Sequence, residues 1–200
     1  MGKWSRPVLG PVFEMPIEIE AKMKVPQLRP LRQKLGAGGG KRVGSVLEIN
    51  QFFDTRDAKL RKADSGLRIR IVRDQSGKRT CILTFKGPMR PGRLKQRDET
   101  QFAVDNPKAA RRLLENLGYQ PTLSFEKRRE SWTFRKCKVE LDKLPHLGTF
   151  VEIEGPSASQ VMAARQALGL ADLPLIRTSY IAMLAQYVKQ HRIRSRHIRL

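Results

Sequence analysis

Cysteine, histidine and long apolar runs are all scarce in this chain, and acids are outnumbered by bases. With 2 Cys in 200 residues, Cys81 and Cys137 build neither a disulfide framework nor a Cys-based zinc site. They read as packing residues in a protein of a reducing cytoplasm. The 3 His, at 146, 191 and 197, are scattered, which excludes a cluster of softer metal ligands. No run of about 18 apolar residues occurs, so nothing reads as a membrane-spanning helix. Residues 1–14, with Lys3, Trp4 and Arg6 among prolines and glycines, lack the apolar stretch of a secretory signal; they are expected to be a flexible extension. No internal repeat of fixed period is present.

What the chain has in excess is positive charge: 40 Lys and Arg against 19 Asp and Glu, a net +21. Such a balance calls for an anionic partner: nucleic acid, a membrane surface or polyphosphate. Part of the excess lies in residues 189–200, a basic tail expected to be a frayed, solvated end. The glycine run Gly36-Ala-Gly-Gly-Gly-Lys41 is not a phosphate loop. Its spacing is wrong, Arg42 replaces the hydroxyl residue, and a helix precedes it where a phosphate loop follows a strand.

Between these ends the pattern is mostly that of strands. Segments 16–25, 43–54, 67–73, 80–86, 93–104, 123–134, 137–144 and 149–154 carry strand composition or alternation. Turns fall at Gln75-Ser-Gly-Lys78 and His146-Leu-Gly148. Helices are predicted over 26–35, from Asn106-Pro107 to Leu117, from a Ser157 or Ser159 cap to Leu168, and over 176–188. The class is α+β, and eight antiparallel strands predict a closed or nearly closed barrel, which removes exposed edges, with helices packed outside.

Sorted by parity, the strands separate apolar from charged faces. Glu18, Glu20, Lys22 and Lys24 lie opposite Ile17, Ile19, Ala21 and Met23. Arg68 and Arg70 form one face; so do Lys95, Arg97 and Glu99, and Lys127 and Arg129. Lys86 lies with Thr84. Glu140 and Asp142 oppose Val139 and Leu141; Glu152 and Glu154 oppose Val151 and Ile153. One such face would be solvent-exposed surface. Like charges gathered this often need a counter-ion, and the apolar stripes of the helices need a sheet face to cover. Both considerations place the charges in the lumen, where dry and unpaired ions are too costly. A polyphosphate with a divalent cation answers both sets: Arg and Lys bind phosphoryl oxygens and carboxylates hold Mg²⁺ or Mn²⁺.

These residues, with Phe53-Asp-Thr55, Phe85-Lys-Gly87, Arg97-Asp-Glu99, Lys127-Arg-Arg129, Glu140-Leu-Asp142, Leu147-Gly-Thr-Phe-Val-Glu-Ile-Glu154 and Ser179-Tyr180 in order, resemble the CYTH superfamily of triphosphate tunnel metalloenzymes over about residues 15–188. Glu18-Ile-Glu-Ala-Lys22 is similar to its Glu-x-Glu-x-Lys signature. The spacing is most similar to the class IV adenylate cyclase branch; thiamine and inorganic triphosphatases are the other branches. The resemblance implies Glu18, Glu20, Glu140, Asp142, Glu152 and Glu154 as ligands of Mg²⁺ or Mn²⁺. It implies Lys22, Arg68, Arg70, Lys86, Arg97, Lys127 and Arg129 as triphosphate ligands, and Glu18, Glu20, Lys22 and Glu152 as the catalytic set. Lys24, Lys95 and Arg177 share a face or neighbourhood with these. Glu99 either binds metal or orients Arg97, and Asp54 is expected to cap a turn. The implied partner is a triphosphate (ATP, inorganic triphosphate or thiamine triphosphate). The implied activity is cyclisation of ATP to cyclic AMP and pyrophosphate, with triphosphate hydrolysis as the alternative. A non-catalytic polyphosphate- or RNA-binding module is a further reading. Nucleic acid is not expected, since carboxylates lining a basic groove add nothing to its binding. A membrane is not expected either, and a homodimer is compatible with all of this.

Overall fold

The computed structural model describes the backbone of residues 14–200 and side chains from residue 17 onward, so the expected extension at 1–14 lies almost wholly outside the described residues. Eight long strands dominate: β1 (Glu14–Val25), β2 (Lys41–Asp54), β3 (Gly66–Asp74), β4 (Arg79–Lys86), β5 (Lys95–Ala103), β6 (Gln120–Phe134), β7 (Cys137–Leu144) and β8 (Gly148–Glu154). Their order is β2-β3-β4-β5-β1-β8-β7-β6, and β6 pairs back onto β2, so the antiparallel sheet closes into a barrel. Closure pairs each of these strands with two neighbours, and the first part of β6, before the β7 pairing begins at Arg128, keeps an open side.

Local chemistry sets the connections. In the β3–β4 hairpin the Asp74 carboxylate accepts from the N–H groups of Ser76 and Lys78 at 2.9 and 3.0 Å, and Gly77 supplies the φ of 85° that an L side chain resists. The β6–β7 turn is Arg135-Lys136, both at positive φ, the mirror-image turn that matches strand twist. β8 is followed by Gly155, where an added Cβ would meet the Cys137 sulfur at 2.8 Å.

Helices α1 (Arg29–Ala37) and α4 (Ala158–Ala167) cover the outer face of β1, β7 and β8. Ala21, Met23, Val139, Val151 and Ile153 there pack against Leu31, Leu35, Val161, Ala164 and Leu168, all at most 4 % exposed. Burying each of the larger side chains contributes about 1.5–3 kcal/mol. After the one-turn α2 (Lys59–Lys62), helix α3 (Pro107–Asn116) lays Leu114 on Phe53, Leu67, Ile69 and Cys81 outside β2, β3 and β4. Asn106 caps α3 by accepting from the Ala109 N–H at 3.0 Å, and Ser157 caps α4. Helix α5 (Tyr180–Gln190) sits at one end of the barrel, with Tyr180 and Leu184 against Phe125, Leu144 and Phe150.

Several boundaries shift by a few residues, among them α1 and the start of β6, and two differences bear on the site. The last helix starts at Tyr180, not Ile176, because the Ile176 N–H is drawn to the Lys22 carbonyl at 2.8 Å and Ser179 provides the cap. The tail does not fray. Its short strand β9 (His197–Ile198) pairs parallel with β6, and Ile198 is 3 % exposed beside Phe125 and Leu184. One buried Ile and a few ladder bonds outweigh the repulsion of its arginines. Among the described residues no helix is long and apolar enough to cross a membrane.

Candidate active site

Alternation along each strand, with the outer faces taken by helices, leaves the polar residues facing the bore. Pairing then sorts them by sign. Three adjacent strands, β1, β8 and β7, carry Glu18, Glu20, Glu152, Glu154, Glu140 and Asp142; Glu20 lies directly opposite Glu154, and Glu140 opposite Glu152. Arg68, Arg70, Lys86, Arg97, Lys127 and Arg129 come from β3, β4, β5 and β6. Lys22 rises from the acidic side, opposite Glu152. The barrel thus has a carboxylate-rich sector and a cation-rich sector around a cavity of about 1080 Å³, slightly above the usual range of small-molecule sites.

The carboxylates are held by specific cations. Lys86 bridges Glu18 and Glu99, both at 2.7 Å, so Glu99 orients Lys86 and not Arg97. Lys95 binds Glu20 at 2.6 Å, which puts Lys95 inside the site. Arg129 donates to both oxygens of Asp142 (2.7 and 2.6 Å) and to Glu152 (2.6 Å), and Lys127 reaches Asp142 at 3.1 Å. Glu140 accepts from Ser131 at 2.6 Å and pairs with Lys138 at 2.7 Å. Glu140 and Asp142 do not line the cavity; the other eleven candidates do, either directly or, for Glu18 and Lys86, as a bonded pair at its wall.

Electrostatics follow this layout. Burial alone would raise the Glu48 carboxyl, but Lys127, Arg129, Arg70 and Arg68 overcome it and hold the group below the usual range. Glu152 is likewise held down against burial by Arg129, Lys127 and Lys22. Arg129 is pushed up against burial by Asp142 and Glu48. Glu154 goes the other way: burial and the neighbouring Glu18 and Glu20 raise it, only partly opposed by Lys138. Burial pulls Lys22 down to about 8, with Glu152 offsetting part. Arg68, buried beside Arg70, falls to about 10 and stays charged at neutral pH.

Several cationic donors have no acceptor. Lys22 Nζ and the Nε atoms of Arg68, Arg70 and Arg97 are buried without a hydrogen-bond partner. Lys22 Nζ is 3.9 Å from Glu152 and lies over the Tyr180 ring, 4.3 Å from its centroid; Lys127 Nζ lies 5.2 Å from the same centroid. Buried donors of this kind call for an anion.

On the acidic side, Glu18, Glu20 and Glu154 present oxygen donors with mutual repulsion that a hard divalent cation relieves. The chemistry of these donors therefore suits a hard divalent cation. Among the described residues no three acidic, His or Cys side chains are gathered as a finished coordination shell; Glu18 is paired with Lys86 and Glu20 with Lys95.

Other candidates lie elsewhere. Lys24 is exposed. Arg177 donates to the carbonyls of Gly92 and Arg90 and anchors the loop before β5. Asp54 accepts from the N–H groups of Thr55, Leu60 and Arg61 at 2.8, 2.9 and 3.1 Å and so caps α2, as expected. Cys81 and Cys137 are buried thiols raised by burial. Sequence reasoning missed Glu48 and Asn50 on β2, with Glu48 opposite Lys127 and Asn50 accepting from Arg68 at 3.2 Å. Their signal was the alternation Glu48-Ile-Asn50, masked by bulges at 42–44 and 51–53.

Comparison with known proteins is consistent with this geometry. The profile of the CYTH domain family matches residues 16–177. A Methanocaldococcus jannaschii protein named "Putative adenylate cyclase" is 25% identical over 176 residues, spanning 84% of this chain and 98% of that protein. Two solved structures share the fold. The PH1819 protein of Pyrococcus horikoshii OT3 has a TM-score of 0.73 at 24% identity, covering 85% of this chain and 99% of its own. A Hippeastrum protein, described as an adenylyl cyclase candidate with a dominant triphosphatase activity, has a TM-score of 0.65 at 21% identity, covering 85% and 96%.

Proposed function

This chain belongs to the CYTH domain family, and on that premise we propose that it is a divalent-metal-dependent enzyme acting on a triphosphate held in the bore. The observation that carries this reading is the set of buried, acceptor-less donors of Lys22, Arg68, Arg70 and Arg97 in the same cavity as the carboxylates Glu20 and Glu154, neighbours across β1 and β8. Phosphoryl oxygens satisfy those donors, and the triphosphate with its cation neutralises both sectors together.

Lys22, Arg68, Arg70, Lys86, Arg97, Lys127 and Arg129 bind the phosphate chain. Glu18, Glu20, Glu154 and Glu152 are the groups that would hold Mg²⁺ or Mn²⁺, which when bound supplies Lewis-acid neutralisation of phosphoryl charge. Glu140 and Asp142 act behind them: Asp142 fixes the Arg129 fork, and Glu140 steadies Ser131 and Lys138. Positioning in a low-dielectric bore is the main lever for phosphoryl chemistry.

The reaction we favour is class IV cyclase-like. The ribose 3′-oxygen of ATP bonds to the α-phosphorus, the bond from that phosphorus to the oxygen bridging to the β-phosphorus breaks, the hydroxyl proton passes to solvent water, and pyrophosphate leaves with the bridging oxygen. The apolar side chains beyond the charged bore, Phe52, Leu123 and Phe125 among them, favour a substrate with an organic end. Hydrolysis of a terminal phosphoryl group is the second reading, favoured by the activity ascribed to the Hippeastrum protein.

The test is incubation with ATP, tripolyphosphate and thiamine triphosphate, each with Mg²⁺ and with Mn²⁺, and identification of products. Cyclic AMP with pyrophosphate supports the cyclase. Orthophosphate with a diphosphate supports the hydrolase. Tight tripolyphosphate binding without turnover of any of the three would reduce the protein to a binding module.

A further inference from the structure

We propose that the C-terminal strap, residues 191–200, is a specificity element: it walls an apolar recess at the mouth of the bore that takes the uncharged end of an organic triphosphate. This deepens the proposed function and rests on its placement of the phosphate chain in the bore. The strap lies beyond the residues matched by the family profile, which end at 177.

The cavity does not stop at the charged residues. It continues past Tyr180 into a space between α5, the start of β6 and the end of β2, lined by Phe52, Leu123, Phe125, Ala185, Val188 and Ile193. None of these side chains offers a phosphate a donor, and a triphosphate seated on Arg68, Arg70 and Lys127 leaves the recess to whatever the chain of phosphates carries. Flat apolar groups suit such a space: Phe52 and Phe125 stack with centroids 6.1 Å apart and planes 14° apart.

The strap is built to stay there. Ser124 N–H donates to the Arg196 carbonyl at 2.8 Å, and β9 pairs Ser124 with His197 and Phe125 with Ile198. Ile198 is 3 % exposed and belongs to the hydrophobic cluster of Phe125, Phe150, Tyr180 and Leu184. The Leu200 N–H donates to Glu126 at 3.3 Å. Between these anchors and α5, Ile193 bonds back to the Val188 carbonyl at 3.0 Å and faces the recess, while Arg192 and Arg196 also line the cavity. The wall is therefore apolar with two guanidinium groups, a composition suited to a planar heterocycle beside a phosphate.

A titration of the full chain with ATP and with tripolyphosphate, in EDTA and read as the ratio of the two Kd values, tests this independently of turnover. Two variants are compared with the wild type: Ile193→Ser, which opens the wall while leaving the anchors, and truncation after Gln190, which removes the strap. The expected result is a shift of the ratio against ATP by about tenfold or more in Ile193→Ser, the scale of losing an apolar contact, with its tripolyphosphate Kd within about twofold; the truncation, which also removes Arg192 and Arg196 from the lining, should shift the ratio the same way while weakening both ligands. A ratio unchanged in Ile193→Ser, or a wild type that binds tripolyphosphate but not ATP, overturns the proposal, and Ile193→Ser alone decides if the truncated chain does not fold. Failure of turnover with the Kd discrimination intact would sink the enzymatic reading and leave the recess standing.

Discussion

Replacing Arg129 by Met is the sharpest probe of a charged interior. Arg129 donates to Asp142 at 2.7 and 2.6 Å and to Glu152 at 2.6 Å, and lies 3.9 Å from Glu48 and 3.7 Å from Glu140. Asp142 is 0% exposed and Glu48 3%, so bulk water cannot solvate what is left. At an effective dielectric of about 20, one such pair at 4 Å interacts by roughly 4 kcal/mol. Removing one partner of a buried pair costs about 3–5 kcal/mol, because the remaining charge is stranded. Lys127, 3.1 Å from Asp142, keeps the loss toward the lower end. For a chain of this size that lowers Tm by roughly 6–20 °C. Arg128, the next residue, points outward and is exposed, so Arg128→Met should change stability by about 0.5 kcal/mol or less. The assay is thermal or urea unfolding of both variants at pH 7. An Arg129→Met protein that melts with the wild type, or an Arg128→Met protein that loses as much, would refute the assignment of alternate β6 residues to the bore.

Three further outcomes are expected. Glu20→Ala should abolish metal-dependent turnover while metal-free tripolyphosphate binding, followed by calorimetry, holds or tightens, since a negative charge has left the bore; retained turnover at saturating Mg²⁺ counts against its metal role. Lys22 titrates near 8, below its ordinary 10.5, so its charge penalty on folding is present below pH 8 and fades as pH rises from there toward 10.5; its charge is available to a ligand at pH 7 and largely gone at pH 9. Tripolyphosphate affinity should therefore fall by up to about tenfold over that interval, and the same series on Lys22→Met should be flat in this component. Tyr180→Leu should weaken tripolyphosphate binding by roughly 5- to 20-fold through loss of the ring that faces Lys22 and Lys127, with Tyr180→Phe within about twofold; equal losses in both variants would shift the role to the hydroxyl.

The sequence by itself determined the strands, most turns and the split of each strand into an apolar and a charged face, because a period of two is written locally. Glu18-Ile-Glu-Ala-Lys22 and Glu152-Ile-Glu154 needed no fold to show their parity. Local chemistry also fixed caps such as Asn106, Ser157 and Asp54. Which face points inward is not local: alternation is symmetric between inside and outside, and only the packing of α1, α3 and α4 on the apolar faces, with closure of β6 on β2, decided it. Partner choice is likewise tertiary. Glu99 meets Lys86 and not Arg97, Lys95 takes Glu20, and Asp142 serves Arg129, because strand register sets which ends of long side chains meet. The tail is the clearest case. Its composition reads as a solvated basic end, yet β6 offers a free hydrogen-bonding segment at Ser124 and the barrel end offers a hydrophobic seat for Ile198, and neither exists until the barrel has closed.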